Sequence, residues 1–236
     1  MSVDFGFYHI DCMEGMKDIP DDFVDLTLTD IPYDEVNGTR NGGGLRKLHK
    51  DAADVITFDL ESFLSELFRI TRGTIIIFCG KSQFSQIFRF YADTNATVRQ
   101  IIWEKTNPSP MNGEKIYLSG VENAVWARKP KATYNGFCKN TVFRFPCGSS
   151  DIHPTEKNHQ LLAELIGDNS NVGDIVFDPC AGSASTLIVA RNMGRKFLGF
   201  EKDEGYFQKA NARLMQEIAQ MNIFDLWKAR NEPIIK

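Results

Sequence analysis

None of the five cysteines (Cys12, Cys79, Cys138, Cys147 and Cys180) stands three positions from another, so the 236-residue chain has no Cys-x-x-Cys signature. Neither a disulfide framework nor a zinc site is expected, and scattered cysteines in odd number fit a reducing compartment. No apolar run reaches bilayer-spanning length, and the N-terminus shows neither a basic n-region nor an apolar h-region. A cytoplasmic protein with no membrane or metal partner is the expectation. Positive charge is also in short supply: 27 Lys and Arg against 31 Asp and Glu leave a net charge of −4. That excludes a surface basic all round, but not a local basic patch, because steering follows the local field. Repeats and low-complexity tracts are absent.

What is present is enough apolar sequence, 42% of residues, to build one sizeable core, so a single domain over residues 1–236 is expected. Short apolar runs alternate with helical patterns. Strand-like runs end at Asp11 and Asp30, "GTIIIFCG" and "VRQIIWEK" follow, two late strands end at Asp178 and Glu201, and helical stretches are expected over 60–71, 82–94, 159–168, 185–193 and 204–220. In the last of these Phe207, Ala210, Leu214 and Ile218 recur at helical spacing. The alternation predicts an α/β fold, a mainly parallel twisted sheet with helices on both faces. Ligands of such sheets bind at the carboxyl ends of the strands. Two segments break the rhythm. Residues 34–56 are basic and glycine-rich and are expected to form a mobile loop. Residues 105–152, with prolines at 108, 110, 130 and 146, are expected to be an irregular insert.

"VFDPCAGSASTLIVA" (176–190) is a strand, a tight turn of small residues and a helix start. Small residues let a ligand approach the backbone, and a helix start offers free N–H groups. Glu201 ends the following strand, about 20 residues on, where a carboxylate can accept hydrogen bonds from ribose hydroxyls. Asp178 at the mouth of the turn repels a pyrophosphate and suits an ammonium or a sulfonium, which favours S-adenosylmethionine (SAM) over a dinucleotide.

"TDIPY" (29–33) places the Asp30 carboxylate at a strand end, with the carbonyl of Ile31 held by Pro32 and the ring of Tyr33 beside them. Two acceptors next to an aromatic platform suit the exocyclic amino group of a nucleobase. Such an amine is a poor nucleophile until its hydrogens are held and an electrophile is aligned with its lone pair. A stacked base cannot reach such a pocket and must flip out of the duplex.

The ordered set "DCMEGM" (11–16), "TDIPY" (29–33), "HPTEKN" (153–158), "FDPCAGSAST" (177–186) and "GFEKDEGYFQKANARL" (199–214) resembles the amino-group DNA methyltransferases. These methylate adenine N6 or cytosine N4 from SAM. The catalytic motif precedes the glycine turn, as in the permuted β-class. The resemblance implies a Rossmann-like SAM-dependent methyltransferase fold and assigns roles. Asp30, Ile31, Pro32 and Tyr33 form the catalytic motif. Asp178, Pro179, Cys180, Ala181, Gly182, Ser183 and Ser185 surround the methionine part of the cofactor. Glu201 and Lys202 bind near the ribose, Asp11 and Cys12 reach its adenine, and His153, Thr155 and Lys157 line the methionine carboxylate. Asp11 can equally cap the helical turn after it.

Two positions depart from the family pattern. Ile31 stands where a first proline is usual, and Ala184 where a second glycine is usual. If residue 184 needs a positive φ, alanine is strained there. For DNA, the expected phosphate contacts are Arg40, Arg46, Lys47, His49 and Lys50 in the basic loop. Lys105, Asn107, Lys115, Arg128, Lys129 and Lys131 fall in the segment where the family keeps its target-recognition region. The reading is a site-specific DNA adenine-N6 methyltransferase, by resemblance able to dimerise. Cytosine-N4 transfer is the alternative, and the two departures leave a catalytically weak binding subunit open.

Overall fold

The computed structural model describes residues 5–33, 56–110, 113–147 and 156–231, with side chains of the last helix described to residue 220. In chain order the elements are β1 (Gly6–His9), α1 (Cys12–Met16), β2 (Val24–Asp30), α2 (Leu60–Ile70), β3 (Thr71–Cys79), α3 (Lys81–Ala92) and β4 (Thr97–Lys105). They continue with β5 (Val121–Arg128), β6 (Val142–Phe145), α4 (His159–Asn169), β7 (Ile175–Asp178), α5 (Ser185–Asn192), β8 (Lys196–Glu201) and α6 (Glu204–Asn231).

Local chemistry explains the helix starts. The Asp59 side chain accepts the N–H of Ser62 and caps α2, whose Phe63, Leu64, Leu67 and Ile70 form one buried face. Asn158 caps α4 by accepting from Gln160 and Leu161, and Asp11 caps α1 by accepting from Met13. The strands follow the two-residue period. In β3 Ile75 and Ile77 enter one core, with α1, α2 and α3, while Ile76 and Phe78 enter the other, with α4 and α5. The sheet is therefore buried on both faces.

The described strands form one sheet in the order β1-β8-β7-β2-β3-β5-β4-β6. All run parallel except β5, which is antiparallel to both β3 and β4. This mixed sheet is the expected α/β architecture, with one correction. Residues 105–152 are not an irregular insert: they contain β5 in the middle of the sheet and β6 at its edge. Proline-rich flanks masked the strand pattern of "VENAVWAR". The reversal of β5 brings its first residues, not its last, to the edge where the parallel strands end.

Candidate active site

Asp11, Asp30, Lys105, Asp178 and Glu201 lie at or just beyond the carboxyl ends of parallel strands, and Glu122 opens β5 at the same edge. The sheet thus gathers onto one rim acids that are far apart in sequence. A cleft of about 240 Å³ opens there, with Asp11, Pro32, Phe58, Pro179, Glu201 and Lys202 among its walls. Both predicted motifs, catalytic and cofactor, border this one space.

Asp30 lies at the centre of a charge network. Lys157 Nζ is 2.5 Å from Asp30 Oδ2 and 2.8 Å from Glu122 Oε2. Glu122 Oε1 is 2.7 Å from Lys105 Nζ. The Tyr33 hydroxyl donates to Glu122 Oε2 at 3.3 Å. Lys157 is buried among the rings of Tyr33, Phe78 and Trp103. Burial favours its neutral form, but the carboxylates of Asp30 and Glu122 outweigh that and hold its pKa above the ordinary lysine value. Burial raises the pKa of Asp30, with Lys157 opposing. Burial also works to raise Glu122, but Lys157 and Lys105 dominate and hold it down at about 2. Tyr33 is pushed well above its ordinary value by burial. Among the described residues Asp30 Oδ1 is buried and has no hydrogen-bond partner. A bare carboxylate oxygen at such a site is an acceptor ready for an incoming donor.

The candidate catalytic turn is braced from below. Ile31 is buried in the core, and its N–H donates to the Phe78 carbonyl at 3.2 Å. Gln83 Nε2 donates to the Pro32 carbonyl at 2.9 Å, while Gln83 Oε1 accepts the N–H of Gly80 at 2.7 Å. The rigidity a first proline would add is replaced here by an anchored side chain and a buried glutamine.

The glycine turn is tied to β8. The Gly182 N–H donates to Glu201 Oε2 at 3.0 Å, and the Asp203 N–H to Glu201 Oε1 at 2.7 Å. Burial raises the Glu201 pKa. Ala181 N–H donates to the Phe200 carbonyl at 2.8 Å. Asp178 accepts the Cys180 N–H at 3.1 Å, and burial pushes its carboxyl up to about 7. The Cys180 thiol is held well above its usual pKa by a hydrogen bond with Cys12 and by burial. Pro179 faces the cleft, and the Ser183 and Ser185 hydroxyls meet at 2.8 Å. Gly182 and Ala184 both adopt positive φ, 49° and 61°. The position that departs from the family pattern is thus left-handed.

Several predicted residues are already engaged. Lys202 Nζ is 3.0 Å from Asp11 Oδ2, and this pair draws the Asp11 pKa down against its burial. Lys157, expected near a cofactor carboxylate, touches Asp30. Lys105, expected in the target-recognition segment, is paired with Glu122. Asn107 accepts the Cys147 N–H at 2.6 Å near the same rim. Arg128 and Lys129 need correction. They end β5 and, because that strand is reversed, they lie at the sheet edge remote from the cleft. Arg128 donates to the Ala132 carbonyl, and Lys129 pairs with Asp22 at 3.0 Å. Arg40, Arg46, Lys47, His49 and Lys50, with most of the 34–56 loop, and His153 and Thr155 lie outside the described residues.

Three participants escaped the sequence reading. Glu122 starts a strand rather than ending one. Gln83 sits inside an ordinary helix. Glu156, within "HPTEKN", is buried and takes contacts from Arg213 Nη1 at 2.8 Å, Ser185 Oγ at 2.7 Å and His159 Nε2 at 2.9 Å on its Oε1. Its place inside a quoted motif was the available signal. Among the described residues no cluster of side chains is arranged to hold a metal ion, and no helix is long and apolar enough to cross a membrane.

Comparison with known proteins agrees with this geometry. The DNA methylase family profile, which covers N6 and N4 methyltransferases, matches residues 138–212. Type II methyltransferase M.HinfI of Haemophilus influenzae is 28% identical over 94% of this chain and 72% of its own length. The crystal structure of the M1.HpyAVI–SAM complex superposes with a TM-score of 0.69 at 29% identity, covering 88% of this chain and 98% of the other. PvuII DNA methyltransferase, described as cytosine-N4-specific, shares the fold at 18% identity, with a TM-score of 0.68 over 87% of this chain and 84% of its own. In family profile, sequence and fold the chain is similar to the N6/N4 DNA methyltransferases.

Proposed function

We propose that this protein transfers a methyl group from SAM to the exocyclic N6 of an adenine in DNA, with the target base flipped out of the helix. The observation that carries the reading is Asp30 Oδ1, a buried and unpartnered acceptor two residues before Pro32, which lines the cleft. Its relatives carry the reaction class in their names, and M1.HpyAVI was solved with SAM.

The cleft suits such a cofactor. Glu201 keeps its carboxylate oriented by two backbone N–H groups and faces the space where a ribose could donate to it. Phe58 and Pro179 supply apolar walls for a planar base. Asp178, buried under the glycine turn, offers a negative charge to a cation. When bound, SAM supplies an electrophilic methyl carried on a sulfonium. The residues of this chain do the rest. Tyr33 offers a ring for the flipped base, Asp30 Oδ1 accepts a hydrogen of the amine, and Pro32 fixes the loop between them. As the nitrogen forms its new bond it sheds one proton, and Asp30 is placed to take it and pass it to water. Lys115, Asn107 and the basic residues between 40 and 50 are the proposed DNA contacts, and a homodimer is the proposed assembly; Lys131 shares the turn after β5 with Lys129, at the edge remote from the cleft.

The test is a single reaction. Purified protein, isotopically labelled SAM and mixed-sequence DNA are incubated, and the nucleosides are analysed by mass. N6-methyldeoxyadenosine is the expected product. N4-methyldeoxycytidine would move the target to cytosine, and no methylated nucleoside from protein that binds SAM would overturn the activity.

A further inference from the structure

The Lys157 ammonium has three N–H donors and three acceptors around it: Asp30 Oδ2 at 2.5 Å, Glu122 Oε2 at 2.8 Å and the Tyr33 hydroxyl at 3.4 Å. Nothing is left to donate to Asp30 Oδ1. Glu122 is itself held from behind, because Lys105 occupies its other oxygen at 2.7 Å. A lysine facing a carboxylate in a buried site, with no rival acceptor, settles between both oxygens. Here the rival is built in.

We propose that Glu122 is a positioning residue of the methyl-transfer site: by claiming one side of Lys157, it confines that lysine to Asp30 Oδ2 and leaves Oδ1 open to the target amine. The inference rests on the reading of Asp30 as the acceptor for that amine. Glu122 acts on Asp30 through Lys157 and through its own charge, and it also holds the Tyr33 hydroxyl.

The same arrangement tunes the charge of Asp30. The ionisable groups facing Asp30 are Lys157 ahead of α4, Glu122 on β5, Tyr33 after β2, Cys79 at the end of β3 and Asp178 at the end of β7. Lys157 favours the ionised carboxylate and Glu122 disfavours it. Glu122 thus leaves Asp30 more basic than a carboxylate with an undivided lysine partner. A more basic acceptor takes the departing amine proton more readily.

The test uses the full chain with carbon-13-labelled aspartate. The Asp30 carboxyl signal is identified by its loss in Asp30→Asn and titrated by NMR in the wild type, Glu122→Gln and Lys157→Met. The midpoint is expected to fall in Glu122→Gln and to rise in Lys157→Met. In parallel, kcat on DNA at saturating SAM is expected to drop about 10²-fold in Glu122→Gln, the scale of a misplaced reacting group. The acid limb of its pH profile should move down, with SAM affinity by calorimetry unchanged. If Glu122→Gln does not fold, Glu122→Asp serves instead. It keeps the charge but shortens the reach, and kcat should fall without a change of midpoint. An unmoved midpoint together with wild-type kcat in the folded variant overturns the inference. A wild type that transfers no methyl group overturns the activity instead, while the titration still decides the role of Glu122.

Discussion

Glu201 Oε2 accepts the Gly182 N–H at 3.0 Å, so the acid that ends β8 also fixes the glycine turn that follows β7. One side chain thereby locks two motifs into a common cleft, and the candidate cofactor and catalytic groups share one rim. The substitutions below separate their contributions.

Asp30→Ala removes the acceptor and its negative charge but leaves the cofactor cleft intact. Methyl transfer is expected to fall by about 10³-fold, within the range for loss of a positioned acid or base. SAM binding, measured by calorimetry, should stay close to wild type. Comparable losses of both would show that Asp30 holds the cofactor.

Asp178 carries a pH signature. Its folded pKa of about 7 lies above the ordinary carboxyl value of 3.8. The unfolded chain therefore releases this proton first. The contribution to stability is fully present below the ordinary value and is lost as pH rises through the folded one. Three pKa units correspond to about 4 kcal/mol between acid and neutral pH. Asp178→Asn should flatten that dependence in melting curves at pH 5 and pH 8. In the wild type a bound cation needs the ionised carboxylate, so SAM affinity should rise about tenfold from pH 6 to pH 8. A flat affinity profile would detach Asp178 from the cofactor's charge.

Ala184 has φ 61° and is fully buried. Its methyl group is strained but also packed. Ala184→Gly relieves about 1 kcal/mol of left-handed strain and gives up a similar amount in packing and chain entropy. Its stability should stay within about 1 kcal/mol of wild type. Ala184→Val adds a β-branched side chain to a left-handed residue in a filled core and should cost about 3 kcal/mol. Chemical denaturation of both variants measures this contrast.

Glu156 is a buried carboxylate contacted by Arg213, Ser185 and His159. Glu156→Ala leaves Arg213 without this partner and should destabilise the protein by about 3 kcal/mol, the usual cost of breaking a buried ion pair from one side. Because Glu156 precedes Lys157, kcat should fall as well, even at temperatures where the variant is fully folded. Unchanged kcat would mean that Lys157 is held by Asp30 and Glu122 alone.

Much of this site can be read in the sequence because parallel strands announce their ends. Asp30, Asp178 and Glu201 each close an apolar run, and the rule that ligands bind at carboxyl ends puts them together. The same rule fails at β5. A strand that runs backwards presents its first residues to the site, so Glu122 went unread, and Arg128 and Lys129 were given to the wrong edge. The partners of Glu156 were hidden for another reason. Arg213 lies 57 positions away on α6, and no local pattern links a helix face to a motif beside a different helix. Gln83 likewise becomes informative only when α3 is seen to start beneath the catalytic turn.

The reversal of β5 has one more consequence. β4 and β5 pair as a hairpin that ends on the active-site rim, with Trp103 opposite Glu122 and Glu104 opposite Val121. Lys105 and Glu122 clasp its base, and residues 106–120 lie beyond the clasp. Lengthening such a tip is cheap, since doubling a flexible loop costs only about 0.6 kcal/mol. The clasp keeps that change from reaching Asp30. Within this architecture the tip can be rewritten, in length and in composition, while the chemistry below it stays as it is.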